Sequence, residues 1–162
     1  MQALLNAIAG MHNTVDAHRV FHGRGGVYPD CAHWTLDWFA PVWVLTSFKV
    51  VTPEELSQCH EALQKRWQSL APDQPLNWVY QCRAPGEAQT QLMSGSVPET
   101  HVVTEQGARY VVHVLRGQNH GLFLDMANGR AWLKQHALHE NVLNLFAYTL
   151  SLIHISEPTR RS

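Results

Sequence analysis

Apolar residues at Leu4, Leu5, Ile8, Met11 and Val15 recur at helical spacing, which predicts an amphipathic helix over roughly the first fifteen residues. The run His22-Gly23-Arg24-Gly25-Gly26, followed by Tyr28-Pro29, reads as a loop, because glycine admits positive φ and proline fixes its own. Residues 42–51 are rich in β-branched and aromatic side chains, among them Trp43, Val44, Thr46, Phe48, Val50 and Val51, and predict a strand. Thr52-Pro53-Glu54-Glu55 places a hydroxyl at the cap, proline at the first helical position and glutamate at the third. A helix starts there, with Leu56, Cys59, Leu63, Trp67 and Leu70 along one face until Pro72. Residues 77–83 and 89–93 predict short strands, and 101–105 with 109–115 predict a hairpin turning at Gln106-Gly107. A third helix is expected over residues 126–136, after Asp125. Residues 141–148 form a mostly apolar run of the kind found in strands buried on both faces.

Composition narrows the picture. In 162 residues, 12 Lys and Arg stand against 13 Asp and Glu, with 45% hydrophobic residues. That balance speaks against disorder, and it supplies no bulk positive field for phosphates, so any nucleic-acid contact must be local. No run approaches the length of a membrane helix, and no Lys or Arg precedes Arg19, so a basic signal-peptide start is not expected either. The cytoplasm is the expected compartment. Three cysteines, Cys31, Cys59 and Cys82, lack a C-x-x-C pair and read as buried thiols. Eleven histidines give only the close pairs His18/His22 and His136/His139, with Cys31/His33 beside them. None has zinc-site spacing, and no metal is expected. The tryptophans at 34, 38, 43 and 67 read as packing residues, although aromatic rings also stack on unpaired bases. The glycine-rich loop around Arg24 reads as a turn, with a phosphate cradle as its alternative.

Two segments carry a resemblance. Gly121-Leu122-Phe123-Leu124-Asp125-Met126-Ala127-Asn128-Gly129-Arg130 and Val142-Leu143-Asn144-Leu145-Phe146-Ala147-Tyr148-Thr149 resemble the entry into the catalytic domain of class I S-adenosylmethionine-dependent methyltransferases related to the large-subunit ribosomal-RNA cytosine-C5 methyltransferases. That family reads Gly-x-Phe-Leu-Asp-x-Arg-x-x-Arg and then Val-Leu-Asn-x-Phe-x-Tyr-Thr. Here Ala127 replaces the first arginine and Arg130 keeps the second. Upstream, residues 19–29, Asp37 and Glu105 to Arg109 resemble, more loosely, the small α/β domain that precedes the catalytic one.

The resemblance implies an α/β fold: an α+β domain over residues 1–115, then the first helix and strand of a Rossmann-like methyltransferase domain over 116–149. It implies S-adenosylmethionine as cofactor, with Asn119, Phe123, Leu124, Asp125, Asn144 and Tyr148 as contacts. Phe123 and Leu124 read equally as core, and Asp125 as a helix cap. It also implies methyl transfer to an RNA base, with ribosomal RNA as partner. Residues 150–160 depart from the family pattern and match the translation of a sequencing-library adapter, so 150–162 is expected to be a non-native tail. On that expectation the chain lacks a catalytic residue and neither binds cofactor nor methylates RNA on its own. A stand-alone RNA- or protein-binding module is the second reading.

Overall fold

A computed structural model of the chain describes residues 1–117 and 119–137. The strand expected at 141–148, with Asn144 and Tyr148, lies outside the described residues.

The architecture is a mixed five-stranded sheet covered on both faces. Helix α1 (Gln2–Gly10) leads into strands β1 (His18–His22), β2 (Trp34–Phe39) and β3 (Val42–Ser47). Helix α2 (Pro53–Leu70) crosses to β4 (Trp78–Cys82), and β5 (Gln89–Ser94) completes the sheet in the order β1-β2-β3-β4-β5. All pairs are antiparallel except β3 with β4, which α2 joins in parallel. A hairpin, β6 (Val102–Glu105) and β7 (Ala108–Val111), and helix α3 (Ala127–His136) follow.

The expected capping box at α2 forms: the Thr52 hydroxyl accepts from the Glu55 amide, and the Glu55 carboxylate accepts from the Thr52 amide. The hairpin turns where Gln106-Gly107 predicted it, both residues taking positive φ, 50° and 83°, as a tight two-residue turn requires.

Every residue of β2, β3 and β4 is buried, so both faces matter, and their alternation assigns each side chain a task. On one face Trp34, Leu36, Trp38, Trp43, Leu45, Trp78, Tyr80 and Cys82 form a core with Leu4 and Ile8 of α1 and Cys59, Leu63 and Trp67 of α2. The tryptophans pack as expected. Trp38 and Trp43 lie 4.2 Å apart by ring centroid, and Trp67 closes the group at 5.5 and 6.0 Å. The opposite face is divided. Phe39, Val42, Val44 and Val79 pack with Val103, Tyr110, Val112, Leu122 and Leu124 into a second core, whereas Thr35, Asp37, Thr46 and Gln81 are buried polar residues on that same side.

Several expectations need correction. Strands β1 and β2 were not anticipated. The first helix stops at Gly10, because Met11 turns to extended backbone (φ −66°, ψ 153°) while still burying its side chain. The strand expected to reach residue 51 ends at Ser47, and β7 ends at Val111 rather than 115. Asp125 does not cap α3: it sits in a one-turn 3-10 segment, and no side chain caps the helix.

Candidate functional site

The polar end of the divided face opens into a cavity of about 260 Å³, a size just below that of common small-molecule sites. Its floor is the sheet: Thr35 and Asp37 of β2, Thr46 of β3 and Arg83 just past β4. Arg19 from β1, His22, Arg24 and Phe48 wall one side. His120, Leu122, Phe123, Leu124 and Asp125 wall the other.

The polar groups are organised by one ion pair and one amide. Arg19 donates from Nε to Oδ1 of Asp37 at 2.7 Å and from its terminal nitrogen to Oδ2 at 3.3 Å, the forked geometry that suits guanidinium and carboxylate. Burial pushes the Asp37 carboxyl up, against the opposing pull of Arg19. Burial by itself would lower Arg19, but its hydrogen bond to Asp37 and that carboxylate's charge prevail and raise it. Gln81 donates to the Val114 carbonyl at 2.8 Å, so its Oε1 is the acceptor. It receives Arg83 at 3.0 Å and stands 3.0 Å from His120 Nε2.

Burial, with the Arg83 charge beside it, lowers His120 to about 4, so the ring is neutral at pH 7. The folded state therefore resists a proton that the unfolded chain takes up near pH 6.5, and stability falls as pH drops from about 6.5 to about 4. Asp37, raised by burial, acts in the opposite sense, adding stability as pH falls through its raised pKa toward 3.8. Urea unfolding of the chain beside His120→Asn isolates the histidine: the parent loses on the order of 3 kcal/mol more over that window. Parallel profiles for the two proteins would refute this.

Of the expected cofactor contacts, Phe123, Leu124 and Asp125 come together on one wall of this cavity. Phe123 is 41% exposed, whereas Leu124 is buried in the second core. Asn119 is exposed and is not among the residues lining the cavity. The wall is held from behind by Arg130, which donates to the Phe123 carbonyl at 2.9 Å and grips Glu105 through Nε at 2.6 Å and a terminal nitrogen at 2.5 Å. The second arginine of the motif is thus a buried anchor, and it forms this network with Ala127 in place of the first. Cys31, Cys59 and Cys82 all lie in the core on the far side of the sheet, with Cys59 pushed up by burial to about 12, and none reaches the cavity.

Arg83, His120, Thr35 and Thr46 were not anticipated as site residues. For Thr35 and Arg83 the available signal is period-two polarity along apolar strands, Thr35 and Asp37 alternating with Trp34, Leu36 and Trp38, and Gln81 and Arg83 with Tyr80 and Cys82; His120 carries no such local signal.

The fold has counterparts among solved structures. A Streptococcus mutans protein described as SAM-dependent superposes with a TM-score of 0.64 at 21% identity, over 96% of this chain and 39% of that one. SMU.776, described as a methyltransferase and solved in complex with SAH, gives 0.65 at 21%, over 96% and 38%. The family model for S-adenosylmethionine-dependent methyltransferases matches residues 18–157, and the chain belongs to that family. The ribosomal RNA large subunit methyltransferase I of Pseudoalteromonas atlantica is 37% identical over 60 residues, which cover 37% of this chain and 15% of that protein. The chain thus spans well under half the length of these relatives. Among the described residues, no helix is long and apolar enough to cross a membrane.

Proposed function

We propose that the chain forms the substrate-facing part of an enzyme that moves the methyl group of S-adenosylmethionine to a base of RNA, in the cytoplasm. One observation carries this: the Phe123-Leu124-Asp125 segment that resembles a cofactor-contacting motif walls the same cavity as the arginine-bearing end of the sheet. Cofactor and substrate groups therefore share one space. The name of the Pseudoalteromonas relative supports ribosomal RNA as the substrate class.

The residues fit the cofactor on one side. The Asp125 carboxylate offers an acceptor for hydroxyl or ammonium groups, and Phe123 lies beside it on the same wall. Asn119, Asn144 and Tyr148 complete the proposed set, and Leu124 shapes the wall from within the core. When bound, the cofactor supplies an electrophilic methyl group. The protein's part is positioning: Arg130 fixes the Phe123 backbone, and the Arg19–Asp37 pair fixes the floor. No residue of this chain is assigned as catalytic. Residues 1–115 are proposed as the substrate-placing domain, with the methyltransferase domain beginning at 116.

A chimera in which residues 18–137 replace the matching part of the Streptococcus mutans protein tests the reading. Tritiated methyl transfer to ribosomal RNA is expected, and Phe123→Ala should raise the KM for cofactor about tenfold with little change in kcat, the pattern of lost ground-state binding. Unchanged cofactor KM in Phe123→Ala, or a folded chimera that methylates no RNA, would overturn it.

A further inference from the structure

We infer that the corner formed by Arg24, Phe48 and Arg83 is a phosphate subsite, and that its phosphate comes from the ribose-phosphate chain beside the base to be methylated. The inference deepens the RNA reading above and rests on it for the source of the phosphate.

Three guanidiniums and two carboxylates line the cavity. The positive excess is local, which is the only form of phosphate attraction open to a chain of net charge −1. The three arginines are not equivalent. Arg19 commits its fork to Asp37. Among the described residues no carboxylate is hydrogen-bonded to Arg83: a terminal nitrogen donates to Gln81 and lies 3.5 Å from His120 Nε2, and its Nε is buried without a hydrogen-bond partner. A buried N–H left unmatched is unfavourable unless something supplies an acceptor. None of the described residues does, and Gln81 Oε1 is already shared with His120.

Arg24 is the exposed member. Its Cζ lies 4.0 Å above the centre of the Phe48 ring, and Arg83 approaches the same ring at 5.9 Å. Stacking uses the flat face of a guanidinium and leaves its N–H edge free, and that edge matches a phosphate in bidentate fashion. The turn that carries Arg24 is fixed: a Cβ on Gly23 would stand 1.8 Å from the Cys31 carbonyl oxygen, so the residue before Arg24 is held to glycine. Asp125 lines the same cavity, and Asp37, whose carboxylate is held in the fork of Arg19, acts on Arg83 through its charge and not through a hydrogen bond. His120 is uncharged at neutral pH and adds no repulsion between cations. Single-stranded RNA suits the corner better than a duplex, since one strand can lay a phosphate on the arginines while its neighbouring base turns into the cavity.

The test is anisotropy of a labelled single-stranded oligoribonucleotide titrated with the full chain across a salt series. Circular dichroism checks that each variant is folded. Arg24→Ala should weaken binding about tenfold at low salt and make the slope of log K against log salt shallower by about 0.7, the loss of one single-strand phosphate contact. Arg83→Gln should act in the same direction. Lys65→Ala, on the exposed side of α2 across the sheet, should change affinity less than about twofold. Equal losses in Arg24→Ala and Lys65→Ala would overturn the subsite and leave the RNA reading standing. Absence of RNA binding, with inorganic phosphate raising the Tm of the parent and not of Arg24→Ala, would overturn the RNA source and uphold the subsite. Absence of both would overturn both.

Discussion

Arg130→Ala is expected to destabilise the fold by about 3–5 kcal/mol, because it leaves the Glu105 carboxylate buried and without its partner. Both side chains are almost wholly removed from water, and the fork between them uses two short hydrogen bonds. At this chain length the loss corresponds to a fall in Tm of about 6–20 °C, measured by calorimetry. Two further variants separate the pair from the single residue. Replacing both partners by methionine should recover part of the loss, since the desolvation of two ions is then removed together with their attraction. Lys134→Ala removes only an exposed bond to the Gln106 carbonyl and should cost less than about 0.5 kcal/mol. If Arg130→Ala melts within a degree of the parent, the pair is not a structural anchor. Since Arg130 also holds the Phe123 carbonyl, the same variant should loosen the cavity wall.

Trp43→Ala should be comparably severe, about 3–5 kcal/mol in urea unfolding, as large-to-small changes at fully buried aromatic sites are. Trp43 is wholly buried and packs against both Trp38 and Trp67, so its loss leaves a void where β2, β3 and α2 meet. Among the described residues its indole N–H has no hydrogen-bond partner. Trp43→Phe therefore removes an unmatched donor together with part of the ring, and it should cost about 1 kcal/mol or less. Equal losses in the two variants would show that indole volume alone governs the site.

What could be read from the chain follows the range of the interactions involved. The start of α2 is written in four consecutive residues, Thr52 to Glu55, and the hairpin in the pair Gln106-Gly107, so both were legible locally. Strand β2 was not, because Asp37 in its middle looks like a loop residue until Arg19 of β1 is known to lie beside it. The first helix was overdrawn for a related reason: Met11 keeps the helical spacing, yet it is buried from an extended backbone. In the candidate site, Phe123, Leu124 and Asp125 were legible through the motif that they share with a family. Arg83 and His120 meet only when β4 and the segment after β7 are brought together, and a single sequence does not display that pairing.

The divided face of the sheet also has a thermodynamic consequence. The cavity floor comes from residues 19–83 and its far wall from residues 120–125, so the two are assembled only when the distant part of the chain has closed over the sheet. Anything that binds between them is bound by the closed form alone. Ligand at a hundred times its dissociation constant therefore adds about 2.7 kcal/mol to closure, and the chain reports occupancy of the site as resistance to opening.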